Sequence, residues 1–198
     1  MSSASYKSLV QDIADLPWQK ANPADLILLS RGTAKEFAAS LREARKLYPE
    51  DSRLTEMAEG ELQTRNLVFG DYAKQGDHWE FLDFFIKELD IVPSSGDLLV
   101  AMTEYNSVVE ELSPEDRAMT VFSREEELTL IFRRIVDAHD WDALGFGFYR
   151  YYLESHILFD SGEGGHHHLT KHFPLHEDVL ATFYRLRLAL YKSLFTAL

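Results

Sequence analysis

Apolar positions recur at steps of three and four along most of the chain, the spacing of one face of an α-helix. Between Thr33 and Leu47, the residues Phe37, Leu41, Ala44 and Leu47 form one stripe, and Lys35, Glu36, Arg42 and Lys46 fall elsewhere. The pattern continues from Asp51 to Tyr72 through Leu54, Met57, Leu62 and Leu67, and from Trp79 to Leu89 through Phe81, Leu82, Phe85 and Leu89. Further helices are expected over Asp97–Leu112, Ser123–Ala138, Trp141–Phe159 and Glu177–Leu198. Ser113-Pro114-Glu115 reads as a helix start with proline at its first position, and Ser123 with Glu126 three residues on resembles a capping box. Pro93 to Gly96 and Gly162 to Gly165 read as breaks. No alternating strand pattern stands out, and the short Leu-Ile-Leu-Leu run after Asp25 is too isolated to support a sheet. The expected architecture is all-α, a single domain over residues 1–198 with about seven helices around one core.

Composition narrows the function classes. The 198 residues carry 20 Lys and Arg against 33 Asp and Glu, a formal charge of −13. That acidity disfavours nucleic acid and anionic membrane surfaces, which need clustered cations. The chain has no cysteine, which excludes disulfide scaffolds, thiolate-held zinc or iron–sulfur clusters, and thiol nucleophiles. No apolar run approaches the roughly 18 residues of a membrane span, and the first residues carry no signal-peptide core, so a cytoplasmic location is expected.

Histidines and carboxylates supply the candidate chemistry. Six of the eight histidines lie between His156 and His176. His156 and Asp160, four residues apart, share a helix face between apolar Leu153, Ile157 and Phe159. A buried imidazole and carboxylate need partners; a metal is one, and an ordinary N–H···carboxylate pair behind a surface loop is the other. His78 follows Asp71 by seven residues, so both face one way if a helix joins them, although Asp71 also suits a solvated position. Glu125, Glu126 and Glu127 suit a solvent-facing helix start, with one of them able to turn inward.

The order Asp71-x6-His78, then Glu125, then His156-x3-Asp160 followed by His166 resembles the haem-oxygenase-like di-iron oxidase and oxygenase superfamily. Asn66-Leu67, Arg124-Glu125 and Tyr151 to Ile157 are similar to that superfamily as well, so the resemblance covers Glu61 to about His168. It implies a haem-oxygenase-like helical bundle, and two ferrous ions held by Asp71, His78, Glu125, His156, Asp160 and His166. It also implies an O₂-dependent oxidation of a small molecule such as an amino acid or fatty acid. The chain has Asp71 where the superfamily has Glu, and Glu163 where its last His stands, which leaves Glu163 or His166 to close the ligand set. A carboxylate substrate would call for a cation such as Arg124 or Arg150. Relatives with a haem-binding histidine in the first helix, or with a cysteine nucleophile, do not fit these residues. The alternative is a metal-free binding or regulatory protein on the same fold. The C-terminal helix is either a homodimer face or part of its own bundle.

Overall fold

A computed structural model of the chain describes residues 5–161 and 170–195, the side chains of 125–127 and 161 excepted. Its described residues form eight α-helices and no strand: α1 (Tyr6–Ala14), α2 (Pro23–Leu47), α3 (Ser52–Glu61), α4 (His78–Glu88), α5 (Asp97–Glu110), α6 (Pro114–Val136), α7 (Gly147–Ser161) and α8 (Glu177–Lys192). Among them, none is long and apolar enough to cross a membrane.

Two elements lie where no helix is expected. Helix α1 buries Tyr6, Leu9, Val10, Ile13 and Ala14 along one stripe and packs against α8. Helix α2 starts ten residues before Thr33: the Asn22 side chain accepts from the Ala24 N–H at 2.9 Å, and Pro23 opens the first turn. The Leu-Ile-Leu-Leu run is thus helical. Leu26, Ile27 and Leu29 are all buried, because this part of α2 is covered on more than one side and shows no amphipathic period.

Three expected boundaries move. Ser123 caps nothing; it sits inside α6, which Ser113 starts by accepting from the Asp116 N–H. Helix α7 begins at Gly147 rather than Trp141, because the Asp140 carboxylate accepts from the Ala143 N–H and Gly145 takes a left-handed φ of 78° to form a turn. Most consequentially, the helix expected to reach Tyr72 stops at Glu61. Gln63 turns left-handed (φ 54°), and the strand-like pair Thr64 and Gly76 exchanges two backbone hydrogen bonds of 2.9 and 3.1 Å. The intervening loop is pinned by aromatic contacts, Phe69 on Phe85 and Tyr72 on Phe81.

Helices α2 and α6 pack along each other, α7 lies on α6, and α4 lies on α2. One large core joins α1, α4, α7 and α8, and a second, smaller one fills the space between the C-terminal half of α2, α3 and the start of α6. Helix α8 buries Leu180, Phe183, Tyr184, Leu190 and Tyr191, and Leu194, in the turn just after it, is buried as well.

Candidate metal centre

The pinched loop brings the end of α3 beside the start of α4. Asp77, the residue before α4, is the clasp. Its carboxylate accepts from the Gln63 backbone at 3.2 Å, from Arg42 at 2.5 Å and from the Trp79 indole at 3.1 Å. The Arg42 charge and these donors hold the Asp77 carboxyl below its usual range although burial pushes it the other way. Glu80 in turn accepts from the Asp77 N–H at 2.8 Å, closing the first turn of α4.

Three buried side chains then converge: Glu61 from the last residue of α3, His78 from the first residue of α4, and His156 from α7. One donor atom of each lies within 4.8 Å of the other two. Glu61 Oε2 is 2.8 Å from His78 Nδ1, and His156 Nε2 is 3.0 Å from the same nitrogen. The orientation of His156 is fixed from behind. Its Nδ1 lies 2.7 Å from the Tyr152 carbonyl, which can only accept, so Nδ1 carries the proton and Nε2 turns a lone pair to the cluster. Edge contact with the Phe132 ring holds the imidazole in place.

This geometry leaves His78 Nδ1 facing two acceptors. A single N–H satisfies one of them well, and His78 Nε2 is buried with no hydrogen-bond partner among the described residues. A cation at the meeting point satisfies all three lone pairs. Ligands at right angles around an ion with bonds of about 2.1 Å stand about 3.0 Å apart, which matches the two short separations. The residues present therefore fit a divalent metal. One carboxylate and two imidazoles form the donor set associated with non-haem Fe(II), and they suit Mn(II) and Zn(II) as well.

A cavity of about 40 Å³ adjoins the trio, walled by Thr33, Phe37, Leu128 and Phe132 and reached by Arg124 and Arg187. It has room for roughly three waters, or a diatomic gas, between largely apolar walls. Tyr152 lines it too; burial, then the nearby Glu61 charge, push its phenol well above the usual value and keep it neutral. Arg124 forms a two-pronged pair with Glu36 at 2.7 and 2.9 Å, and Glu36 also accepts from Ser40 at 2.6 Å and Tyr105 at 2.9 Å.

Of the six metal ligands expected from sequence, His78 and His156 meet. Asp71 does not join them: it is exposed on the loop after α3, because no helix connects it to His78. Asp160 is buried one turn beyond His156 but is not part of the trio. The Glu125 side chain, Glu163 and His166 lie outside the described residues. Arg124 and Arg150 prove committed elsewhere, Arg124 to Glu36 and Arg150 to Asp142 at 2.5 Å on the surface. Sequence reasoning missed Glu61, whose proximity to His78 depends wholly on the loop. It also missed Arg187, for which a signal exists: this cation stands in the stripe Leu180, Phe183, Tyr184, Tyr191 of α8.

Compared with known proteins, the chain gives no significant match to a family model, a curated protein or a solved structure.

Proposed function

We propose that Glu61, His78 and His156 hold a divalent metal ion of the iron class, and that the protein is a metal-dependent oxidoreductase using O₂ on a small molecule. The observation that carries this reading is the meeting of one carboxylate and two imidazoles, all buried, at one point beside an apolar cavity. The resemblance of the His78, His156 and Asp160 pattern to the haem-oxygenase-like oxidases, and the all-helical architecture, support it. Held by Glu61, His78 and His156, a ferrous ion would supply O₂ binding and electron transfer. The protein's own part is positional. His156 is held in its metal-ready tautomer by the Tyr152 carbonyl, Glu61 offsets part of the ion's charge, and Phe37, Leu128 and Phe132 limit water around the reacting groups. A second ion, which the resemblance implies, would draw on Asp160 together with residues outside those described.

A second reading has an observation of its own. The Glu61–His78 contact and the His78–His156 hydrogen bond hold the trio together without a metal, as in a binding protein with a polar floor to its cavity. Oxygen uptake separates the two. Protein stripped with chelator and reloaded anaerobically with Fe(II) is expected to consume O₂ faster than the same concentration of free Fe(II), and the His156→Ala variant is not. Equal uptake by loaded protein, variant and free iron overturns the oxidase reading.

A further inference from the structure

Helix α5 packs against α2 and α8 with one side, yet it carries five consecutive apolar residues in its first turns, Leu98 to Met102. A helix turns about 100° per residue, so such a run cannot face the core as a whole. Leu98, Tyr105 and Val109 are buried, and Ala101 and Met102 pack against the same core. Leu99 and Val100 are left outside, 51% and 58% exposed, with Val108 two turns on at 42%. Val100, Glu104, Val108 and Glu111 follow at steps of four and three, so they share one outer face. Leu99, Val100, Thr103 and Glu104 line a shallow depression on it.

The charges around this face are all of one sign. Asp97, Glu104, Glu110 and Glu111 carry them, and no Lys or Arg lies between 97 and 111. Glu110 and Glu111 stand at the carbonyl end of α5, where the helix dipole is negative and a cation is the favoured neighbour. Helix α6 then opens with Glu115, which is exposed too. The outer side of α5 thus joins uncovered aliphatic surface to acids that work against their own helix dipole. A second copy of the chain would bring the same acidic face to it, and an anionic membrane the same sign of charge. Both are repelled, whereas a cationic, aliphatic surface answers both features at once.

We propose that the outer face of α5 docks a basic amphipathic helix of a partner protein. The partner's aliphatic stripe covers Leu99, Val100 and Val108, and its Lys or Arg side chains meet Glu104, Glu110 and Glu111. The surface needs nothing from the Glu61–His78–His156 trio and stands whether or not that trio holds metal.

The test is fluorescence anisotropy of a labelled peptide of leucine and lysine, about 15 residues long, with its leucines at helical steps of three and four. It is titrated with the full chain at about 0.15 M salt. The same peptide with glutamate in place of lysine is the counter-probe. The lysine peptide is expected to bind saturably, one per chain, and the glutamate peptide not to bind. Leu99→Ser with Val100→Ser is expected to weaken the lysine peptide roughly 10-fold through lost apolar burial. Glu110→Lys with Glu111→Lys is expected to weaken it by a similar factor. Glu56→Lys with Glu59→Lys, the same charge change at exposed positions of α3, is expected to leave the affinity within about twofold. Circular dichroism verifies folding, and if one α5 variant fails to fold the other decides. No saturable binding, equal binding of the two peptides, unchanged affinity in the folded α5 variants, or an equal loss in the α3 variant overturns the proposal. Sedimentation velocity and flotation with phosphatidylcholine–phosphatidylglycerol vesicles test the rival occupants. A dimer, or vesicle binding, that Leu99→Ser with Val100→Ser abolishes contradicts the proposal.

Discussion

Glu61 and His78, seventeen residues apart, meet at 2.8 Å because the loop between them folds back on itself at Thr64 and Gly76. Neither residue lies inside a run that could carry it to the other. Glu61 ends α3 and His78 begins α4, so the meeting depends on how that loop is closed. Asp77 and Glu80 close it, and the two helix ends become one wall of a site completed by His156 from α7.

Gly76 is therefore a sensitive position. A β-carbon there would lie 2.6 Å from Glu80 Oε2, so Gly76→Ala must push Glu80 off the Asp77 N–H. The loss of that cap is expected to cost about 1 kcal/mol, read as a lower urea midpoint. Metal affinity should fall with it, while Gly70→Ala at the exposed loop tip should leave metal affinity unchanged.

The Glu36–Arg124 pair sets an acid limit on stability. Burial works to raise the Glu36 carboxyl, but the Arg124 charge and the bonds from Arg124 and Ser40 hold it below its ordinary value of 4.5. A depressed folded value means that its stabilisation is fully present above pH 4.5 and is lost as pH falls further, through the folded value. Glu36→Gln should flatten the stability–pH curve in that acid window. At neutral pH it should cost about 3–5 kcal/mol, since it leaves the buried Arg124 guanidinium without its paired carboxylate. Chemical denaturation at a series of pH values checks both.

Phe132 touches the His156 ring edge and walls the cavity. Phe132→Ala should destabilise the fold by about 3–5 kcal/mol and enlarge the cavity. The enlarged cavity should then take up benzene, which the space of about 40 Å³ in the wild type excludes, measured by isothermal titration.

His156→Ala removes one of the trio's three donors and should lower bound iron to the level of nonspecific retention. Asp160, on the same face one turn on, offers a contrast. Asp160→Asn should retain metal at the trio, since that carboxylate lies outside it. Metal analysis after desalting separates the two variants.

Much of the helical framework was legible because its stripes face one core: α4, α5 and α8 begin within a residue of where the pattern starts them. Serine and proline at 113 and 114 likewise marked the start of α6. The loop after α3 was not legible, since Leu62 and Leu67 continue the helical spacing although Leu67 is buried from a loop. That single misreading hid Glu61 and put Asp71 forward in its place. His78 and His156 were readable as types with buried neighbours, but their proximity is a property of the tertiary fold. Helix α1 escaped because its single short stripe spans nine residues, and the first turns of α2 because burial on several sides erases the period.

The central claim is that Glu61, and not Asp71, joins the two histidines in holding metal. The most direct measurement is anaerobic Fe(II) loading followed by desalting and elemental analysis of wild type, Glu61→Ala and Asp71→Ala. Wild type and Asp71→Ala should retain iron in equal stoichiometric amount, at least one ion per chain, and Glu61→Ala should retain little. Iron lost with Asp71 but kept without Glu61, or no iron held by the wild type, would contradict it.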